Sequence, residues 1–250
     1  MSDVRNNGSG RHRSRKTETT SAPTKVFVVV PEGTSEQAVY EELFGQGLPR
    51  KTTEAKFVAL TFDDGPSEYT HDILDILEEN DARATFFVLG DHITGREEEI
   101  QRMVDLGCEI GNHTMSHPDL STLGKYETLE ELATCSQLIQ AVSLKIPHVY
   151  RAPFLHDTPN AKIAGLALNM ISISCDVVAE DWVITDPREI VNRVLWGVKQ
   201  CQGSIVLLHD GSPDDRTASR QPTVDAVREL VPQLIKDGYE LVTMRDIIDV

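Results

Sequence analysis

Apolar runs alternate with amphipathic stretches along most of the chain, from Phe57 onward. Short runs rich in β-branched and aromatic residues predict seven strands: "FVALTF" (57–62), "ATFFVL" (84–89), "CEIG" (108–111), "VYRAP" (149–153), "ISIS" (171–174), "SIVLLH" (204–209) and "YELVTM" (239–244). Helical spacing of apolar residues predicts helices between them: "HDILDILEEN" (71–80), "EEEIQRMVDLG" (97–107), "LEELATCSQLIQAV" (129–142), "PREIVNRVLWGVKQC" (187–201) and "PTVDAVRELVPQLIKDG" (222–238). Gly107 and Gly238 are expected to cap two of these helices.

This alternation predicts an α/β fold in which parallel strands are covered by helices, either as a barrel or as a wound sheet. Ligands bind beyond the carboxyl ends of the strands in both architectures. We therefore expect the functional side chains directly after the strands.

Two segments precede the alternation. Residues 1–24 are polar and basic, and they predict a disordered tail. Residues 25–50 combine an apolar run with a helix whose start is marked by the capping-box spacing of Thr34 and Gln37, so they predict a strand–helix extension. Residues 51–250 are expected to form the main domain.

Charge narrows the range of partners. The 250 residues carry a formal net charge of −16, and the basic N-terminal tail leaves the remaining body more acidic still. Because affinity for nucleic acid depends on neutralising phosphates, nucleic acid is excluded as a partner.

Cysteine spacing and hydropathy say little about location. The four cysteines are far apart, without a C-x-x-C pair, and predict free thiols. No segment approaches the roughly 20 apolar residues of a membrane span, and the N-terminus lacks the apolar core of a secretory signal. We expect a cytoplasmic protein, or an extracellular one if a native leader was removed. Nothing in the sequence specifies an oligomeric state.

Polar residues cluster where the predicted strands end. Asp63 and Asp64 follow the first strand, and His113 and His117 follow the third. Later strand ends contribute Arg151, Asp176, Asp181, Trp182, His209 and Asp210. A barrel would gather all of these groups at one mouth.

The spacing of His113 and His117 is typical of two metal ligands, because one helical turn would place both imidazoles on the same side. An aspartate from another strand end would complete a His-His-Asp set with positions open for water and substrate. That combination indicates a catalytic metal. The alternative is that the two histidines merely cap a loop.

Asp63 and Asp64 are adjacent, so their side chains diverge on an extended backbone. One could bind the cation while the other acts as general base toward water. Gly65 and Pro66 fit a sharp turn after the strand. The alternative is a solvated turn in which an aspartate caps the next helix.

Five motifs occur in order: "TFDDGP" (61–66), "HTMSH" (113–117), "RAPF" (151–154), "DVVAEDW" (176–182) and "IVLLHD" (205–210). Over Phe57–Val250 the chain resembles the polysaccharide deacetylase family, also called the NodB-homology domain or carbohydrate esterase family 4. The resemblance implies a distorted (β/α)7-type barrel that removes N-acetyl groups with a divalent metal, Zn²⁺ most often and Co²⁺ in some cases.

The resemblance also implies roles for individual residues. Asp63 would be the catalytic base, held and tuned by Arg151. The metal ligands would be Asp64, His113 and His117.

The remaining roles concern the leaving group and the acetyl group. His209 would be the general acid, oriented by Asp181, and a histidine suits this step because the leaving amine must be protonated. Trp182 and Leu207 would form the walls of a small acetyl pocket, and the backbone N–H of Phe154 would help to hold the oxyanion.

The chain departs from the family pattern at two points. The residues "VVAE" separate Asp176 from Asp181, which is a longer interval than usual and leaves the role of Asp176 open. Leu155 stands where the family usually has glycine, and His156 follows it. A bulkier rim loop implies a changed substrate groove, where His156 either contacts substrate or lies on the surface.

These observations predict N-deacetylation of a glycan containing N-acetylglucosamine, or of an amino sugar. Family members that act on peptidoglycan or chitin are usually exported, and no export signal is visible here. The alternative is therefore an amide deacylase for an intracellular acylated small molecule, such as a natural-product precursor. A catalytically dead binding domain is a third hypothesis, and the presence of every catalytic residue argues against it.

Overall fold

The structure is a computed structural model that describes residues 56–200 and 203–248. The predicted basic tail (1–24), the predicted strand–helix extension (25–50) and Cys201 lie outside the described residues.

The described residues form short strands that alternate with helices. The strands are β1 (Phe57–Asp63), β2 (Thr85–Val88), β3 (Glu109–Asn112), β4 (Val149–Tyr150), β5 (Ile171–Ser172), β6 (Val177–Val178), β7 (Gly203–His209) and β8 (Glu240–Leu241). The helices are α1 (Thr70–Glu79), α2 (Gly90–Ile93), α3 (Glu97–Asp105), α4 (Lys125–Ser143), α5 (Pro159–Ala167), α6 (Pro187–Gln200), α7 (Gln221–Lys236) and α8 (Met244–Ile247). Short 3₁₀ turns cover Leu120–Thr122 and Pro153–Leu155.

All pairings in the sheet are parallel, in the order β5-β4-β3-β2-β1-β7-β6, and β8 also pairs with β1. The longest ladder joins β1 to β7 and runs from the pair Phe57 and Gly203 to the pair Asp63 and His209. Within 56–200 and 203–248 no ladder joins β5 to β6, so the barrel is open at that point. The predicted α/β fold, a distorted barrel, is confirmed.

Strand β1 runs from the apolar core to the mouth of the barrel, where the site residues lie. Its side chains alternate between two faces, and Val58, Leu60 and Phe62 pack in the large apolar cluster between the sheet and the helices. Phe57 and Ala59 belong to the interior cluster of the barrel. The same interior face continues through Thr61 to Asp63, so it changes from apolar to polar as it approaches the mouth. A carboxylate thus comes to lie at the end of a fully buried strand.

Most predicted elements are confirmed, with differences at their ends. The fourth strand stops at Tyr150 rather than continuing through Pro153, which starts a short 3₁₀ turn instead. The run "YELVTM" forms only a two-residue strand, because Thr243 begins α8 through a capping box with Asp246. Gly107 and Gly238 adopt φ +70 and +83, as expected for helix caps.

Two elements were not predicted. Helix α5 has only a weak difference between its faces, although Thr158 caps it and Pro159 starts it. Strand β6 has two residues, too few to show alternation.

Packing of α7 against the sheet yields a test of the fold. Leu234 is fully buried, whereas its neighbour Ile235 is 43% exposed. Leu234→Ala should lower the free energy of unfolding by about 2–5 kcal/mol, because it leaves a cavity. Ile235→Ala should change it by less than about 1 kcal/mol. Urea denaturation of both variants measures the difference, and equal losses would contradict this packing.

Candidate active site

The carboxyl end of β1 places Asp63 and Asp64 in different surroundings. Asp63 is the last residue of the strand, and Asp64 turns out of it with φ +70, a left-handed conformation that is uncommon for aspartate. Asp63 Oδ1 accepts a hydrogen bond from Arg151 Nη1 at 2.7 Å. Asp64 Oδ1 faces two imidazoles instead. The two neighbouring carboxylates therefore differ in their closest partners.

Asp64, His113 and His117 form a cluster that fits a metal ion. Asp64 Oδ1 lies 3.3 Å from Nε2 of His113 and 3.3 Å from Nε2 of His117, and one candidate ligand atom from each residue lies within 4.8 Å of the others. Asp64 Oδ1 is buried and has no hydrogen-bond partner among the described residues. A buried carboxylate oxygen without a donor, facing two ring nitrogens, is a suitable ligand set for a cation.

The orientation of His113 supports the same function. Its Nδ1–H donates to the backbone oxygen of Arg151 at 2.8 Å. Metal-binding histidines commonly use one ring nitrogen in this way, which leaves the lone pair of the other for the metal. Nε2 of His113 is the nitrogen that faces Asp64.

His113 and His117 lie in a loop, so the expectation of a helical turn between them was wrong. Thr114 and His117 adopt φ +74 and +61, which no helix contains. Glu131 of α4 holds this loop, because its Oε2 accepts hydrogen bonds from the backbone N–H groups of Met115 and Ser116 at 2.9 Å each. The imidazoles meet because the loop doubles back on itself, with their ring centroids 5.1 Å apart.

The charges of the cluster are strongly coupled. Burial disfavours the ionised form of Asp64, but the imidazoles of His113, His209 and His117 outweigh burial and lower the pKa of Asp64. Burial opposes protonation of His113, but Asp63 and Asp64 raise its pKa overall. Burial, with the neighbouring His113, lowers the pKa of His117. Cations and protons therefore compete for this cluster.

The guanidinium of Arg151 holds the carboxylate of Asp63 in place. The guanidinium is fully buried and donates from Nη1 to Asp63 Oδ1 and Thr61 Oγ1, both at 2.7 Å. It also donates to the backbone oxygens of Ile173 and Ser174 at 3.3 and 3.1 Å. These contacts fix the carboxylate of Asp63 in one orientation.

His209 and Asp181 form the second ionisable pair. His209 Nδ1–H donates to Asp181 Oδ1 at 2.8 Å, and the backbone N–H of His209 donates to Asp181 Oδ2 at 2.8 Å. Thr223 Oγ1 also donates to Asp181 Oδ2. Burial disfavours the imidazolium, but Asp181, with Asp64 and Asp63, outweighs burial and raises the pKa of His209 to about 9. His209 is thus held in one orientation and favoured in its protonated form.

One cavity of about 540 Å³ joins these groups. Eight of the predicted site residues line it: Asp63, Asp64, His113, His117, Phe154, Trp182, Leu207 and His209. Arg151 and Asp181 lie behind the lining and contact it through Asp63 and His209. The structure thus brings together all ten predicted residues at one mouth.

Aromatic rings flank the charged centre. The Trp182 ring meets His209 edge to face at 5.2 Å, and the Phe154 ring meets His117 edge to face at 4.8 Å. The backbone N–H of Phe154 has no acceptor among residues 56–200 and 203–248. It is therefore available to a ligand in the cavity.

The rim loop after Arg151 is strained. Phe154 and Leu155 both adopt left-handed φ values, +57 and +58, although they are 60% and 40% exposed. Such conformations cost about 1–3 kcal/mol each outside glycine. His156 lies at the surface, where its Nδ1–H donates to Asp119 Oδ1 at 3.0 Å. The structure thus places His156 beside Asp119, and the cavity wall contains Leu155 rather than His156.

Asp176 contacts the backbone of β7. Its backbone N–H donates to the oxygen of Ile205 at 2.8 Å, and its Oδ2 accepts from the N–H of Ile205 at 2.8 Å. This pair of bonds anchors the segment that leads to Asp181 and Trp182. Asp176 does not line the cavity.

Sequence reasoning assigned no role to three residues that support the site. Thr61 donates to the oxygen of Val206 at 2.7 Å and accepts from Arg151; its position two residues before Asp63, on the same strand face, was an available signal. His92 Nδ1–H donates to the backbone oxygen of Asp64 at 2.8 Å, a contact that no local pattern indicates. The third is Asp210.

Asp210 is a fully buried carboxyl group beneath the turn after β1. Thr70 Oγ1 donates to its Oδ2 at 2.6 Å, and its Oδ1 has no partner among the described residues. A Cβ at Gly65 would collide with this carboxyl group, so only glycine fits at that point of the turn. Burial raises the pKa of Asp210 to about 7, and the nearby Asp64 and Asp63 add to the effect against the hydrogen bond from Thr70.

Several known proteins resemble this chain. A family model described as polysaccharide deacetylase matches residues 50–169. A chitooligosaccharide deacetylase of Bradyrhizobium sp. (strain ANU 289) is 38% identical over 192 residues, which cover 74% of this chain and 87% of that protein. The peptidoglycan-N-acetylmuramic acid deacetylase PdaC of Bacillus subtilis (strain 168) is 33% identical over 81% of this chain and 42% of its own length.

A solved structure resembles the fold. The Bc1960 peptidoglycan N-acetylglucosamine deacetylase has a TM-score of 0.72 and 30% identity, covering 80% of this chain and 91% of that one.

Within the described ranges, no helix of the present chain is long and apolar enough to cross a bilayer.

The buried carboxyl of Asp210 predicts a pH-dependent stability. Folding raises the pKa of this carboxyl group from 3.8 to about 7. The free energy of unfolding of the protein therefore falls as pH rises between those two values. Asp210→Asn removes this loss. Relative to that variant, wild type should become less stable by about 2 kcal/mol between pH 5.5 and pH 8.5. Urea denaturation in EDTA at both pH values measures this change, with the exposed Asp225→Asn as control. A gap independent of pH would contradict a neutral Asp210.

Proposed function

The chain belongs to the polysaccharide deacetylase family, and from that membership we propose that it removes N-acetyl groups from N-acetylglucosamine-containing glycans or amino sugars. The reaction is hydrolysis of a linear amide bond to give acetate and a free amine. The observation that carries the proposal is the single cavity lined by two carboxylates and three imidazoles, Asp63, Asp64, His113, His117 and His209.

The alternative, an amide deacylase for an intracellular acylated small molecule, is not favoured. The curated relatives reported above are named for chitooligosaccharide and peptidoglycan substrates. A binding domain without catalysis is also disfavoured, because the carboxylates and imidazoles that amide hydrolysis needs are all present in one cavity.

The metal site would consist of Asp64, His113 and His117. Two imidazole nitrogens and one carboxylate oxygen suit Zn²⁺, which we propose as the resident ion, and Co²⁺ accepts the same ligands. When bound, the cation would polarise the amide carbonyl and lower the pKa of a water molecule, which is the chemistry that an unreactive amide needs.

Asp63 would act as the general base. Arg151 occupies Oδ1, so Oδ2 remains to accept the proton of the attacking water. Oδ2 lies 3.8 Å from Nε2 of His113 and therefore faces the metal cluster. Several further bonds fix the position of Arg151. Arg151 therefore holds the carboxylate of Asp63 in one orientation before the reaction begins.

His209 would act as the general acid. Its Nδ1–H is engaged by Asp181, so the transferable proton is the one on Nε2. The raised pKa keeps the imidazole protonated near neutral pH, as the departing amine requires. A dication at Asp64 would offset part of the attraction from the aspartates and lower the pKa of His209 from this value.

The backbone N–H of Phe154 would donate to the oxyanion that forms on the amide carbonyl. Trp182 and Leu207 would enclose the acetyl methyl group between an aromatic and an aliphatic wall. Their position in the cavity lining supports this assignment.

Acetate release tests the function. Purified protein loaded with Zn²⁺ or Co²⁺ should release acetate from chitooligosaccharides or peptidoglycan fragments. EDTA should abolish the release because the metal is lost, and restored metal should recover it. Release from acylated small molecules alone, with no glycan attacked, would reject the proposed substrate class.

Two variants should separate the base from the ligands. Asp63→Asn should bind metal as wild type does and lose about 10²–10⁴-fold in kcat, the usual contribution of a general base. His113→Ala should lose the metal itself. Metal content after gel filtration, measured with turnover on the same samples, distinguishes the two. An Asp63→Asn enzyme within tenfold of wild type, or full metal occupancy in His113→Ala, would contradict the assignments.

A further inference from the structure

One carboxylate joins the loop that carries the two histidines to helix α4. Glu131 Oε2 accepts hydrogen bonds from the backbone N–H groups of Met115 and Ser116 at 2.9 Å each, and Glu131 Oε1 accepts one from Ser116 Oγ at 2.9 Å. Met115 and Ser116 lie between His113 and His117 in the chain. Loss of this single side chain would therefore remove three bonds from the middle of the loop.

The backbone of this loop is strained. Thr114 and His117 adopt left-handed φ values of +74 and +61, which residues other than glycine hold only when their surroundings enforce them. Inside the loop, Asn112 Oδ1 accepts from the N–H of Thr114 at 2.8 Å. The amide of Asn112 also donates to the backbone oxygen of Leu132 on α4 at 2.8 Å. Helix α4 thus holds the loop at its start through Asn112 and at its middle through Glu131.

The two histidines depend on the loop to different degrees. The backbone N–H of His113 donates to the oxygen of Val88 at 3.0 Å, and its Nδ1–H donates to the oxygen of Arg151 at 2.8 Å. The backbone N–H of His117 donates only to Thr114 Oγ1, within the loop itself, at 3.0 Å. Among residues 56–200 and 203–248, no hydrogen bond to its Nδ1 is found. A shift of the loop would therefore move His117 and leave His113 in place.

We propose that Glu131 is a positioning residue of the metal site: it holds His117 beside Asp64 before a cation arrives, and it thereby sets the affinity of the site for metal. This inference rests on the proposed function and deepens it. A ligand that is already in place does not have to be ordered when the metal binds. Groups that orient metal ligands commonly change metal affinity by about 10–100-fold.

Two other roles for Glu131 make different predictions. Its negative charge could attract a cation without any need for the hydrogen bonds, so that charge alone would matter. Alternatively, the bonds to Met115 and Ser116 could stabilise the fold without affecting the affinity for metal. Variants that separate charge from reach distinguish these roles.

Glutamine and aspartate at this position each keep one of the two properties. Glu131→Gln removes the charge but keeps the length, so that its oxygen still accepts from both backbone N–H groups while its amide donates to Ser116 Oγ. Glu131→Asp keeps the charge but is one methylene shorter, so that it no longer reaches the loop. Glu131→Ala removes both properties.

The experiment measures the affinity of the full chain for Zn²⁺, by competition with a chelator at one fixed pH, in wild type and the three variants. Hydrogen exchange of the Met115 and Ser116 amides in the metal-free protein reports directly on the loop. Urea denaturation in EDTA reports on the fold. If Glu131→Ala does not fold, Glu131→Asp carries the comparison.

Glu130→Ala is the matched control. Glu130 is the neighbouring residue on the same helix, and it is exposed to solvent. Its replacement removes the same charge from the same turn of α4. It should change neither the affinity for Zn²⁺ nor the exchange of the loop amides.

Glu131→Asp and Glu131→Ala should weaken Zn²⁺ binding by about tenfold or more and speed the exchange of both amides. Glu131→Gln should stay within about threefold of wild type, because its bonds are kept although they are weaker without the charge. In a His117→Ala background, Glu131→Ala should cause no further loss of affinity, because the effect is transmitted through His117.

Three results would overturn the inference while leaving the metal site intact. The first is an Asp variant that binds Zn²⁺ as wild type does while the Gln variant loses affinity, which assigns the effect to charge. The second is unchanged affinity in both the Asp and Ala variants, whatever their stability in urea. The third is a full further loss in the His117→Ala background. A wild type that binds no Zn²⁺ and releases no acetate would instead reject the proposed function, and this inference with it.

Discussion

The site depends on one buried guanidinium. Arg151 follows β4, and its bonds reach Thr61 and Asp63 on β1 and the backbone oxygens after β5. Its own backbone oxygen accepts a hydrogen bond from His113 Nδ1–H. The ends of β4 and β1, which share no ladder, are thus joined across the interior of an open barrel. A buried arginine without these partners would destabilise the folded state. The fold supplies the partners of Arg151, and the bonds of Arg151 in turn hold the strand ends together.

The same anchoring separates the two adjacent aspartates. Asp63 ends the strand against Arg151, whereas Asp64 leaves it in a left-handed conformation that costs free energy by itself. His92 donates a hydrogen bond to the backbone oxygen of Asp64, and Gly211 approaches that oxygen so closely that a Cβ at residue 211 would collide with it. In the proposed mechanism one carboxylate accepts a proton and the other binds a cation, although they are neighbours in the chain.

On the opposite wall of the cavity, aspartates again hold an ionisable side chain in position. Asp176 binds its segment to β7, and this contact brings Asp181 within hydrogen-bond distance of both the ring and the backbone of His209. Polar groups therefore form the floor of the cavity, while its rim is apolar and partly strained.

The sequence by itself determined the strand and helix rhythm, the side of the sheet on which the site lies, and the ten residues that meet there. The first two features follow from local periodicity, and the ten residues follow from the resemblance of five motifs to those of a known family. The tertiary structure alone decided that His113 and His117 meet through a loop, that β6 and α5 exist, and that His92 and Asp210 pack against the turn after β1. The contacts of such residues join segments as far apart as 28 positions for His92 and Asp64 and 140 for Thr70 and Asp210. Strand register and packing bring such segments together, and neither is visible in a local pattern.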